Sequence, residues 1–110
     1  MDGNKPIIRF FFAKLKAAFI NLPDEEKMAF MKKDRGNLDE LGMKVLTMVN
    51  CNLSDEEWDF IGVEQWPSME AIRLREKFEK DELEISKYTD YKIILGTPES
   101  FDTYGKTEDL

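Results

Sequence analysis

The feature that most constrains this chain is the stretch Glu57-Trp58-Asp59-Phe60-Ile61-Gly62-Val63-Glu64-Gln65-Trp66, closed by Pro67-Ser68. Read with the two-residue period of a strand, one face carries Trp58, Phe60, Gly62, Glu64 and Trp66. The other carries Asp59, Ile61, Val63 and Gln65. Both rows are largely apolar, which predicts a strand covered on both sides. Glu64 sits among aromatics, and a buried carboxylate needs a partner. Pro6 to Leu15 has the same character. Ile8, Phe10 and Phe12 point one way, while Ile7, Arg9, Phe11 and Ala13 point the other. Here the charged intruder is Arg9.

Two further strands and two helices follow from local chemistry. Lys16 to Leu22 reads as a connection. Pro23 is expected at the first position of a helix, where its missing N–H costs nothing, and Asp24-Glu25-Glu26 suit the positive end of the dipole. Met28, Phe30 and Met31 supply its apolar contacts, and Gly36-Asn37 is expected to interrupt or end it. Met43 to Asn50 alternates as a second strand. Ser68 is a strong N-cap for a second helix reaching about Leu83. Ala71, Ile72, Leu74 and Phe78 form its expected buried stripe, with Arg73, Arg75, Glu76, Lys77, Glu79 and Lys80 expected on a solvated face. Tyr91 to Gly96 reads as the last strand. Phe101 and Tyr104 in the polar tail suggest packing against something, such as a second chain.

One domain fits 110 residues, with a core over 5–97 and a tail over 98–110. The net charge of −7 disfavours nucleic acid and anionic membranes. The N-terminus lacks a leader-like apolar run, and the single Cys51 suits a reducing compartment, so a cytoplasmic protein is expected. The chain has no histidine. That removes Ser-His and Cys-His nucleophile pairs and the usual zinc sites. Spacing within Asp24-Glu25-Glu26 and Asp55-Glu56-Glu57 is wrong for a calcium loop, and the glycines are isolated. No metal and no cofactor are expected. Cys51 reads as a plain hairpin cysteine, and Met28, Met31, Met43, Met48 and Met69 as core filler.

The element order is strand, helix, strand, strand, helix, strand. Right-handed crossovers arrange it as an α+β, ferredoxin-like split βαβ (βαββαβ): a four-stranded antiparallel sheet in the order 4-1-3-2, with two helices on one face. Strands one and three become neighbours, and Arg9 is expected to pair with Glu64 across them. Two helices cover one face only. The open apolar face therefore predicts a homodimer with sheets packed face to face.

Phe12-Ala13-Lys14 followed by Phe19, Leu22 with Glu25-Glu26-Lys27 and Phe30, and Tyr91 with Ile93-Ile94, Glu99 and Tyr104 recur at similar spacing elsewhere. With the acidic-aromatic third strand running into a helix, they extend over nearly the whole chain. On them the chain resembles the dimeric α/β-barrel superfamily, and within it the darcynin-type proteins. It departs in carrying Pro23 where a Ser cap is usual and in lacking histidines. The resemblance implies the fold and the dimer. The superfamily's activities span monooxygenases, haem-degrading enzymes, cyclases, dehydratases and proteins with no known reaction.

The candidate ligand site is Arg9, Phe11, Trp58, Phe60, Glu64, Trp66 and Tyr91, suited to a small, flat, mostly apolar molecule whose phenolate or carbonyl meets Arg9. Gly62 leaves room for such a ligand to approach the backbone. Glu64 is the candidate general base. The plain alternative is an aromatic core with one satisfied ion pair. Two functions follow: a small-molecule binder or enzyme, in the manner of the superfamily's cofactor-independent monooxygenases, or a non-catalytic dimerising or stress-related binding domain.

Overall fold

The computed structural model describes residues 5–54, 57–102 and 104–105. Asp55 and Glu56 of the second acidic triplet lie outside the described residues, as do the first four residues and parts of the tail. The elements are β1 (Ile7–Leu15), α1 (Ala17–Ile20), α2 (Asp24–Glu40), β2 (Lys44–Asn50), β3 (Phe60–Trp66), α3 (Met69–Asp81), α4 (Ile85–Tyr88) and β4 (Thr89–Gly96). The four strands form one antiparallel sheet in the order β2-β3-β1-β4. It is an open sheet with the ferredoxin-like order that the sequence predicts.

Register settles the two faces. Arg9 is paired with Glu64 and Leu95, and Phe11 with Gly62 and Ile93. Arg9 reaches α3 through Glu79, so this row lies on the helix side. Phe10 stands opposite Val63 and Ile94, and Phe12 opposite Ile61, on the side that no described helix covers. A register shift between Val45 and Thr47 bulges β2, an edge strand whose residues are all exposed.

Helix α2 runs unbroken through Gly36-Asn37, contrary to the expected stop. A Cβ on Gly36 would meet nothing, so the residue needs no special conformation. The true terminator is Gly42, at φ +82, a left-handed position that suits glycine. Its N–H donates to Asp39 O and that of Met43 to Leu38 O, the Schellman pattern, while Leu38 and Met43 pack in the same cluster. Pro23 occupies the N-cap rather than the first helical position. The expected connection at Lys16 to Leu22 contains the short helix α1, whose Phe19 packs edge-on against Phe30 and Tyr88.

Helix α3 is rotated from its expected orientation. Ser68 caps it as predicted, its Oγ accepting the Ala71 N–H at 3.1 Å. Ala71 and Ile72 are buried, and so are Arg75 and Glu79, which were expected in solvent. Leu74, expected inside, is 51% exposed. Positions 71, 72, 75 and 79 share one stripe of a 3.6-residue helix, and ion pairing with Arg9 makes that stripe the inner one. Most methionines are not core filler either: Met28, Met31, Met48 and Met69 are exposed, and Met43 alone packs on the described core with Leu38, Trp66, Ala71 and Ile72.

Candidate functional site

A chain of charges runs under the helices. Arg9 Nε donates to Glu64 Oε1 at 2.7 Å, and Nη2 to Glu79 Oε2 at 2.8 Å. Arg75 Nε donates to the same Glu79 oxygen at 2.9 Å, while its Nη atoms reach Asn37 and Asp34 on α2. Trp66 Nε1 donates to Glu64 Oε1 at 2.9 Å. Five charged side chains from β1, β3, α3 and α2 thus share one network, and four of them are buried.

The guanidinium of Arg9 is 1% exposed. Its Nη1 has no acceptor among the described residues. The group lies over the rings of Phe11 and Trp66, at 5.1 and 5.3 Å from their centroids, so the π faces partly compensate the missing bond. Burial draws the Arg9 pKa down, but Glu79 and Glu64 more than offset this and leave it raised. A raised basic pKa gives stability that is complete below the unfolded-state value and lost only as pH climbs through the folded one. Arg9 therefore stays charged throughout the acid and neutral range.

Beside this network, between α2 and the sheet, lies a cavity of about 520 Å³. Phe11, Phe60 and Gly62 form its floor, Val45 and Met48 of β2 one side, and Leu38 with Asp34, Arg35 and Asp39 of α2 the roof and rim. Arg9, Glu64 and Arg75 close its inner end. Glu64 Oε1 is doubly occupied, whereas Oε2 accepts from no described residue. Oε2 lies 3.7 Å from where a Cβ on Gly62 would stand, above the floor. Gly62 has neither a positive φ nor a steric conflict that would demand glycine, so its lack of a side chain simply deepens the cavity.

A second, larger hollow of about 760 Å³ is a groove along α3, α4 and β4, lined by Glu76, Lys80, Glu84, Lys87 and Tyr91 among others. Glu76, Lys80, Glu84 and Lys87 line it as exposed charged side chains, the buried Glu79 also reaches it, and Ile85 lines both hollows. The smaller cavity holds the aromatic floor and, in Arg9, Glu64 and Arg75, three of the four buried charges, and is the better candidate.

Of the sequence-predicted residues, Arg9, Phe11, Phe60 and Glu64 come together at this cavity. Trp66 does not line it: the ring is fully buried against Leu38, Ala71 and Ile72. Tyr91 stacks on Phe11 at 5.6 Å but faces the outer groove. Trp58 lies on the opposite side from the one its spacing predicts. Strand alternation begins only at Phe60, because Asp59 turns the chain by bonding Ala13 O through its N–H and Leu15 N–H through its carboxylate. The Trp58 ring consequently meets Phe12 on the open face. Sequence reasoning misses Arg75, Glu79, Asp34 and Asn37. The i, i+4 spacing of Arg75 and Glu79 is visible, but it reads equally well as an exposed pair.

No protein-family model matches the chain, and no curated protein matches it in sequence. Solved structures do share its fold. A protein of unknown function from Rhodopseudomonas palustris is 20% identical, over 88% of this chain and 85% of that one, with a TM-score of 0.63. A variant of chlorite dismutase from Candidatus Nitrospira defluvii is 12% identical, over 96% of this chain and 46% of that one, with a TM-score of 0.66. SnoaB, a cofactor-independent oxygenase from Streptomyces nogalater, is 8% identical, over 87% of this chain and 95% of that one, with a TM-score of 0.55. At these identities the likeness is one of fold alone, the four-stranded antiparallel sheet in ferredoxin-like order described above. No helix among the described residues is long and apolar enough to cross a membrane.

Proposed function

We propose that this chain binds a small, flat, mostly apolar molecule in the cavity between α2 and the sheet, and that any reaction it catalyses takes place there. The observation that carries this is a hollow of about 520 Å³ with an aromatic floor, a glycine where a side chain would fit, and one free carboxylate oxygen at its inner end. Ligand sites are commonly of this size and composition. SnoaB, described as a cofactor-independent oxygenase, shares the fold, which makes oxygen chemistry on an electron-rich aromatic a reaction to assay. Glu64 Oε2 would be the acceptor for a substrate proton, since Oε1 is held by Arg9 and Trp66.

The test is titration with 2-naphthol, a neutral planar probe, followed by backbone NMR shifts. Binding should move Phe11, Phe60 and Gly62, and Gly62→Leu, which fills the floor, should abolish it while the fold is retained. Absence of binding to the wild type, or equal binding to the filled variant, would sink the proposal.

A dimer, expected on either reading, is supported by a different observation. Ile8, Phe10, Phe12, Ile61, Val63 and Ile94 form a half-exposed apolar sheet face with no helix over it among the described residues. We propose that a second copy covers this face, and the two readings are compatible. Sedimentation should give a dimer that Val63→Lys converts to monomer. A monomeric wild type would remove the dimer. Phe101 and Tyr104, stacked on each other at 5.6 Å and largely exposed, do not pack on the body of their own chain.

A further inference from the structure

The charges linked beside the cavity carry one more negative than positive: the four buried ones balance, and the extra carboxylate is the half-buried Asp34. Arg9 and Arg75 contribute two positive charges, and Glu64, Glu79 and Asp34 three negative ones, all linked by the contacts described above. The guanidinium expected to greet an anionic ligand is sealed: Arg9 is 1% exposed and two of its three nitrogens already hold carboxylates. Arg75 is likewise buried, with Glu79, Asp34 and Asn37 as partners. What the cavity offers from this network is an acceptor, Glu64 Oε2, next to the open space over Gly62.

Resting on the cavity reading above, we infer that the polar end of the ligand is a hydrogen-bond donor, most favourably a protonated amine, and that it meets Glu64 Oε2. A carboxylate or phenolate brought to the same place would set a negative charge directly against Glu64 Oε2, in a linked cluster that already holds three carboxylates and two cations. A donor completes the open valence of Glu64, and a cation also neutralises the excess charge. Two other cations line the cavity. Arg35 is engaged by Asp39 at 3.1 Å, and Lys44 stands exposed at the mouth on the edge strand. They are the groups an anionic ligand would use, so the sign of the preference tells which end of the cavity governs recognition.

A matched set separates these outcomes. 2-Naphthylmethylamine, 2-naphthol and 2-naphthoate share one apolar body and differ in the charge they carry at neutral pH. Calorimetric titration of the unmodified chain should give the amine about tenfold tighter binding than the naphthoate, with the naphthol between them, a preference of the size expected for one charge-assisted hydrogen bond. Glu64→Gln should bring the amine and the naphthoate to within about twofold while leaving the naphthol nearly unchanged. Equal affinities for amine and naphthoate in the wild type, or tighter binding of the naphthoate, would overturn the inference and leave the cavity reading standing. If none of the three binds, the cavity reading itself fails. The decisive comparison uses the unmodified chain, so it decides the matter even where Glu64→Gln does not fold.

Discussion

Helices α2 and α3 lie over the same sheet but are held in opposite ways. Helix α3 presses Ala71 and Ile72 onto Trp66 and adds two charged side chains that reach the sheet and its neighbour helix. Helix α2 buries only Leu38 along seventeen residues. Its other ties are Asp34 and Asn37 meeting Arg75, and Phe30 packed edge-on against Phe19 and Tyr88. The cavity is therefore a consequence of unequal docking. Where α3 descends there is a core, and where α2 stands off there is room for a ligand.

This contrast is tested most severely at Arg9, which joins β1 to both β3 and α3. Arg9→Ala leaves Glu64 and Glu79 buried with one cation fewer, and about 3–5 kcal/mol of stability should disappear in urea unfolding, the cost typical of an orphaned buried charge. A loss below about 1 kcal/mol would mean that the network is ornamental to α3, like an exposed ion pair. Next in size, Leu38→Ala should cost about 2–3 kcal/mol, because it removes the one buried anchor of α2 and enlarges an existing hollow. Hydrogen exchange should then rise in α2 before it rises in α3. Equal rises in both helices would show that they dock as one unit. The smallest effect concerns the orientation of α3: Leu74→Ser should shift stability by less than about 0.5 kcal/mol, as surface changes do. Had Leu74 faced the core, the same substitution would cost several times more.

The same residues mark what can be read in advance. Arg9 and Glu64 stand out in the sequence because each breaks an apolar strand row, but the register that sets them opposite each other is fixed only in the assembled ladder. The inward turn of Arg75 and Glu79 is not legible. Helix α3 has charged residues on every side, and its apolar residues allow a stripe through Leu74 and Phe78 as readily as one through Ala71 and Ile72. Three of the five expected aromatics, Trp58, Trp66 and Tyr91, lie away from the cavity. Trp58 precedes the strand proper, and Trp66 fills the space beneath α3 rather than the cavity.

Residue order alone dictates the four strands and the two long helices, the faces of β1 and of β3 from Phe60 onward, and the Ser68 cap. Each of these depends on neighbours close along the chain or on a period-two pattern, which residue order encodes directly. Tertiary packing decides the rest: which charged stripe of α3 turns inward, that Gly42 rather than Gly36 ends α2, and that a cavity opens under α2. Those outcomes depend on how closely separate elements approach one another. That distance is set by the sum of many packing and charge contacts, and no single stretch of residues contains it.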